Sequence, residues 1–391
     1  MAPVDPWIGP RGSAARRVLQ ILREHGPMTR PEAARLTGLS VGGIRPIVAG
    51  LISDGQLVER DEPAARTARG RGRPGKVLQP VVPRGQVLGF DFGHAHVTVA
   101  VADLRGDGLR SESRELDVDH HADDALALGA ELARGLLAPK GGGIERVVVG
   151  LPGPVDRAGL LRSSTIAASW WELPVAERVG ELLGLPSACV DVENDAHLGA
   201  IGEFAAGAGA GCSDGIYVKA SHGLGAGLVL GGELYRGADG LTGEIGHAVV
   251  VPGGPLCRCG GRGCLETVVA VEHILEQARF VIGGDGPVVL ADVAGHAAVQ
   301  RIVADAGRAL GRALADVCNL LNPGRIVLGG ELATAGRPLV DGVVESIRRF
   351  GQPAIVGTEV VLSTLGSRAQ VVGAIHQAAE RGRLQAWRAA G

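Results

Sequence analysis

Three of the chain's six cysteines, Cys257, Cys259 and Cys264, stand in C-x-C-x4-C spacing, and His247 lies ten residues upstream. Three thiolates and one imidazole complete the tetrahedral shell that Zn²⁺ prefers and leave no position open for water. The expected metal is therefore a structural Zn²⁺. The glycines between the cysteines allow the tight folding that three converging sulfurs need. The alternative is a Gly-rich loop with free or disulfide-bonded cysteines. Cys189, Cys212 and Cys318 are scattered singly, however, as in a reducing compartment, and do not form a disulfide pattern. A metal at this point would also fasten Glu244, His247 and Glu266 together. Two carboxylates and an imidazole around one spot suit the hydroxyls of a sugar.

Gly243-Glu-Ile-Gly-His247 followed by Cys257-Arg-Cys-Gly-Gly-Arg-Gly-Cys264-Leu-Glu266 resembles the signature of the ROK family (repressor, open reading frame, kinase). That family holds bacterial sugar kinases and sugar-responsive transcription factors on one two-lobed, actin-like (ribonuclease-H-like) α/β fold. The resemblance covers nearly the whole chain, and the open question is the branch.

On the sugar side, Glu193-Asn194-Asp195-Ala196 matches the family's E-N-D-A box, and the stretch 147–156 resembles the strand and loop beside the sugar. The resemblance implies that Asp195 is the general base of a kinase, if kinase activity persists. A carboxylate suits that role because it can take the hydroxyl proton while aligning the oxygen. Read by itself, Asp195 is equally a helix N-cap for 196–203. Asn194, Asp195, Glu244, His247 and Glu266 are the expected sugar contacts. Ile166 stands where the kinases carry a sugar-binding asparagine, and Trp170 and Trp171 are either cleft-lining or core residues.

The phosphate side departs from the kinases. Asp91-Phe-Gly93-His94-Ala95-His96 replaces D-x-G-G-T-K, and Ser221-His222-Gly223-Leu-Gly225-Ala-Gly227 replaces G-T-G-I-G-G-G. A phosphate cradle needs small residues, free N–H groups and a hydroxyl or cation. Asp91, Gly93, Gly223 and Gly225 remain as remnants, while His94 crowds and Ala95 has nothing to donate. These departures count against ATP and Mg²⁺ as cofactors. The adenosine-side stretch 322–331 matches well, but it is also a plain strand–turn–helix.

These groups must be positioned by a chain of 391 residues, long enough for two or three domains. Hydrophobic residues make up 46% and aromatics 3%, so the cores must be built from Ala, Val and Leu. Net charge is −3, unevenly spread: residues 1–85 hold 14 Lys and Arg against 7 Asp and Glu, the remainder 25 against 35. A basic head on an acidic body is a nucleic-acid-binding pattern.

In the head, Ser13 is placed to cap a helix over 14–25 carrying Val18, Leu19, Ile21 and Leu22. Thr29-x-x-Glu32 with Pro31 reads as a capping box opening a second helix with Ala33, Ala34 and Leu36. Gly38 ends it, and Ser40 caps a third with Ile44, Ile47, Val48, Leu51 and Ile52. The pair is a helix-turn-helix whose last helix reads the major groove. Gly42, Gly43 and Pro46 predict that this helix either starts late or kinks. Strands at 57–59 and 76–78 would bracket an Arg-rich wing, and Ser40, Arg45, Arg69, Arg71 and Arg73 are the expected DNA contacts. A solvated linker is the alternative reading of the Arg run.

The expected organisation is a winged helix-turn-helix at 1–82, a small lobe at 85–196 and a large lobe at 197–369 with the metal loop. A helix at 370–384 returns to the small lobe. No apolar run reaches the roughly 20 residues of a membrane span, and no signal-peptide core opens the chain, so a cytoplasmic protein is expected. The partners expected are a double-stranded DNA operator, a small sugar effector and a second or further copies of the chain, as homodimer or homotetramer. The reading is a sugar-sensing transcriptional regulator of the repressor type. The competing one is an ATP-dependent, glucokinase-like hexose kinase with a DNA-binding head, and a regulator without ligand is a third.

Overall fold

The computed structural model describes residues 10–54, 56–61, 76–81, 84–139, 141–163, 167–283, 286, 288–355 and 357–389. The chain divides into two compact units, Met1–Pro83 with Arg383–Gly391, and Arg84–Gly382.

The first unit opens with α1 (Pro10–His25). The helix starts before Ser13, which therefore lies inside it and is not its cap. Proline is pre-organised for a first helical turn, where its missing N–H is not needed. A two-residue strand, β1 (Met28–Thr29), follows, then α2 (Arg30–Thr37) and α3 (Val41–Ser53). At the start of α2 the Thr29 N–H and hydroxyl both donate to the Glu32 carboxylate, at 2.8 and 2.9 Å. Gly38 closes α2 at φ 71°, and between α2 and α3 the chain turns through 109°. That is the geometry of a helix-turn-helix.

Ser40 caps α3, its Oγ accepting from the Gly43 N–H at 3.0 Å. The helix thus begins at Val41, with Pro46 inside it. The Gly42 carbonyl, which Pro46 cannot serve, belongs to an exposed residue, where water can satisfy it. Val18, Leu22, Ala33, Ile44, Val48, Leu57 and Leu78 form the core of this unit, whereas Leu36 faces solvent. β2 (Leu57–Asp61) and β3 (Lys76–Pro80) pair antiparallel, and β1 adds to β3. The segment between β2 and β3, with Arg69, Arg71 and Arg73, lies outside the described residues.

The second unit repeats one sheet topology twice. Its first half runs β4 (Gln86–Phe92), β5 (His96–Asp103), β6 (Arg110–Glu115), α4 (Ala122–Leu136), β7 (Ile144–Leu151), α5 (Val175–Leu183) and β8 (Val190–Asn194). The sheet order is β6-β5-β4-β7-β8, with β4, β7 and β8 parallel and β5 antiparallel to both of its neighbours, β4 and β6. α6 (Asp195–Ala206) then leads to β9 (Gly215–Ala220), β10 (Leu224–Leu230) and β11 (Glu233–Tyr235). The metal-type loop ends in α7 (Glu266–Val269), followed by α8 (Val271–Ile282), α9 (Leu290–Val293), α10 (Ala297–Leu321), β12 (Arg325–Gly329), α11 (Arg337–Phe350), β13 (Glu359–Leu362) and α12 (Ala369–Ala389). The second sheet is ordered β11-β10-β9-β12-β13, and β9, β12 and β13 are parallel.

Each sheet has its own apolar core. Trp170 belongs to the first: it is fully buried, its ring lies 4.9 Å from Phe92, and its indole N–H donates to the Val118 carbonyl. It is a core residue, not a cleft lining. α6 and α12 cross backbone against backbone. A Cβ on Gly202 would strike the Ala369 carbonyl, and one on Gly373 would strike that of Leu198. Among the described residues no single helix is long and apolar enough to cross a membrane.

Candidate functional site

In open α/β sheets, ligands bind beyond the carboxyl ends of the parallel strands. Asp91 lies near the end of β4 with Gly93 just beyond it, Asn194 and Asp195 join β8 to α6, and Lys219 lies near the end of β9 with Ser221 just beyond it. The candidate residues therefore collect at one edge of each sheet.

Asn194, not Asp195, caps α6. Its Oδ1 accepts from the His197 N–H at 3.0 Å, and its Nδ2 donates to the Gly153 carbonyl at 2.8 Å. β8 ends at Asn194, which pairs with Leu151, and the helix starts at Asp195, one residue earlier than a capping Asp195 would allow. Asp195 is the first helical residue, and its carboxylate is ion-paired with Lys219. Glu193 is buried and held by His197 Nδ1 at 3.0 Å and by Arg236 at 2.7 Å. Burial works against its charge, but these partners keep its carboxyl below the usual range.

Glu244 is half-buried. Burial, then the charge of Asp195 and that of Glu266, push its carboxyl up to about 7. Glu266 accepts from the Leu224 N–H at 3.2 Å and pairs with Arg258 Nε at 3.1 Å. Arg258 also donates to the His222 carbonyl, tying the cysteine loop to the second glycine turn. Gly223 and Gly225 flank that turn: a Cβ on Gly223 would lie 3.6 Å from Glu266 Oε2, and one on Gly225 would lie 3.1 Å from Ala196 Cβ.

His247, Cys257, Cys259 and Cys264 offer ligand atoms that all lie within 4.8 Å of one another. Cys257 Sγ is 3.7 Å from His247 Nδ1, and Cys259 Sγ is 3.7 Å from Cys264 Sγ. A tetrahedron with bonds of about 2.3 Å has edges of about 3.8 Å, so the donor set fits a metal ion. With Nδ1 turned to the sulfurs, His247 presents Nε2 toward Glu244, 3.8 Å away. All six cysteines are free of disulfides.

The phosphate-side turns are filled by side chains. The His96 imidazole folds over Gly93, where a Cβ would collide with it, and its Nε2 lies 3.2 Å from Asp91 Oδ2. His94 is held by Asp119 at 2.8 Å and faces His222 with ring centroids 5.3 Å apart. His222 in turn pairs with Glu272 at 3.1 Å. In the head, Ser40 and Arg45 are both exposed on α3. Ile166 lies outside the described residues.

Sequence reasoning missed Lys219, Arg236, Arg258 and Asp119. Lys219 had a signal, a lone charge in the apolar run Ile216-Tyr-Val-Lys-Ala220, because a lysine in a buried strand demands a partner. The others are surface-like in sequence and gain their roles only from tertiary contacts.

The site and the doubled sheet define an α/β protein of two like sheets with a metal-type loop. Residues 87–381 match the ROK family, and the chain belongs to that family. It is 28% identical to the DNA-binding transcriptional repressor Mlc of Escherichia coli K12, over 87% of this chain and 86% of Mlc. It is 31% identical to the glucokinase of Thermotoga maritima, over 77% of this chain and 99% of that enzyme. The crystal structure of a ROK-family transcriptional regulator, a homologue of E. coli Mlc, superposes with a TM-score of 0.76 at 27% identity, covering 96% of this chain and 98% of that one. The fold is thus the actin-like α/β fold of the ROK family with mixed sheets, and the match to that regulator extends through the N-terminal head.

Proposed function

We propose that the chain is a DNA-binding transcriptional regulator of sugar-metabolism genes, a repressor, whose ROK body senses a sugar or sugar derivative. The observation that carries this reading is the filling of both glycine turns by His96, His94 and His222 in a chain whose head holds a capped helix-turn-helix. Residues 1–82 are the DNA-binding domain in this reading. Residues 85–196, with the helix at 370–384, and 197–369 are the lobes that close on the ligand.

α3 is the major-groove reader, with Arg45 toward base edges and Ser40 near phosphate. Arg69, Arg71 and Arg73 reach phosphates or the minor groove. Asn194, Asp195, Glu244, His247 and Glu266 take the sugar hydroxyls. His247, Cys257, Cys259 and Cys264 hold Zn²⁺, which supplies a crosslink to this loop. In a homodimer or homotetramer in the cytoplasm, closing of the lobes changes the spacing of paired recognition helices and so the operator affinity.

The test is a gel shift and footprint on DNA upstream of the chain's own locus at moderate salt, with and without hexoses and N-acetylhexosamines. Loss or gain of a protected site with one sugar supports the reading; no protection under any condition refutes it. The second reading, a hexose kinase with Asp195 as base, is favoured by the match to a glucokinase over 99% of that enzyme's length. A coupled ADP-release assay decides it: turnover abolished by Asp195→Asn would replace the regulator reading.

A further inference from the structure

β9 is a buried strand that carries one ammonium. Ile216, Tyr217, Val218 and Ala220 are all within 3% of full burial, and the Lys219 side chain is only 15% exposed. A charge in such a place persists only with a partner. Lys219 has Asp195, to which its Nζ donates. Burial disfavours its charge, yet the carboxylates of Asp195 and Asp91 outweigh that and raise its pKa.

Asp91 supplies the second observation. It is 2% exposed; its Oδ2 faces His96, and its Oδ1 is buried without a hydrogen-bond partner. The carboxyl ends of β4 and β8 thus bring acidic groups into one cleft edge. Among the described residues Lys219 is the buried full cation that answers them; His96 lies more open to solvent.

We propose that Lys219 is the resident cation of the cleft: its ammonium takes the place of a divalent ion as counter-charge to Asp195 and Asp91. A tethered ammonium differs from Mg²⁺ in two ways. It has one positive charge, and it has no open coordination position to bridge anionic phosphate oxygens. It also donates directly to Asp195, which holds that carboxylate in place and occupies one of its oxygens. The cleft so equipped takes an uncharged polyol, such as a free sugar, without a metal ion accompanying it. This does not rest on the DNA-binding reading of the head.

The experiment uses the full-length, zinc-loaded chain and Mn²⁺ as probe, with free Mn²⁺ followed by electron paramagnetic resonance. The wild type is expected to take up no Mn²⁺ that Asp91→Asn removes. Lys219→Met is expected to gain a Mn²⁺ ion per chain, lost again in the Lys219→Met/Asp91→Asn double variant. Its melting temperature should also rise on adding Mn²⁺ or Mg²⁺, where that of the wild type does not. Lys219→Gln, which keeps a donor to Asp195 but no charge, repeats the measurement if the methionine variant does not fold. Asp91-dependent Mn²⁺ uptake by the wild type would overturn the proposal, and so would a folded Lys219 variant that gains none. The wild-type arm needs no Lys219 variant.

Discussion

The rings of His94 and His222 meet at a 33° tilt, 5.3 Å between centroids, one from each of the two glycine-bearing turns. Each is anchored from behind by a carboxylate, Asp119 or Glu272. The turns that would have to stand apart to admit a triphosphate are therefore in side-chain contact. ATP with Mg²⁺ is expected to leave the melting temperature of the wild type unchanged, because a ligand that binds only the folded state raises it. A saturable rise of more than about 2 °C, which for a chain of this size corresponds to about 1–2 kcal/mol, would contradict that.

The cysteine loop should respond as a unit. Cys257→Ser is expected to drop the zinc content from about one ion per chain to near zero in native mass spectrometry, since a structural site loses its ion with its ligand set. It should also blunt the thermal shift produced by the effector sugar, because Cys257 lies 3.7 Å from His247 and the loop's Arg258 braces Glu266. Full zinc retention would show that these four side chains are not the metal site.

In the head, Arg45→Ala is expected to weaken operator binding by about 1–3 kcal/mol, roughly 5- to 150-fold, with the discrimination lost at one base-pair position. Ser40→Ala should lower the stability of the head by about 1 kcal/mol through loss of the bond to the Gly43 N–H. Binding titrations over a range of operator variants and salt concentrations separate the two. An Arg45 variant that binds every operator as the wild type does would remove α3 as the reader.

Glu193 makes stability depend on pH in a definite direction. Its carboxyl is held below the ordinary value by His197 and Arg236 despite burial. A depressed folded pKa contributes stability above the unfolded pKa of about 4.3, and that contribution is lost as pH falls through the folded value. Glu193→Gln should therefore melt below the wild type at neutral pH, and the gap should narrow once the pH falls below about 4. A gap constant from pH 7 to pH 3 would mean that the ion pairs are not what the mutation removes.

Much of this was legible from local patterns. The Thr29–Glu32 capping box and the Ser40 cap rest on residues close in sequence, and the structure has them where such patterns put them. The misplaced features depend on distant partners. Whether Asn194 or Asp195 caps α6 is decided by how far β8 pairs with β7, which no spacing within the helix reveals. Lys219 finds Asp195 only because β9 runs beside α6 in the folded unit. Leu36 fits the apolar stripe of a helix too short for the stripe to decide its facing, and it is exposed. Proline at position 10 was the local sign that α1 begins before Ser13.

The crossing of α6 and α12 at Gly202 and Gly373 leaves no layer of side chains between the two backbones. Packed helices slide by letting interdigitated side chains re-seat, whereas main chains in direct contact have nothing to re-seat. In the proposed closure of the lobes, movement at that point is expected to be a swivel with the two glycines as its axle. A small angular change there would grow with lever arm, so the far rims are expected to travel furthest.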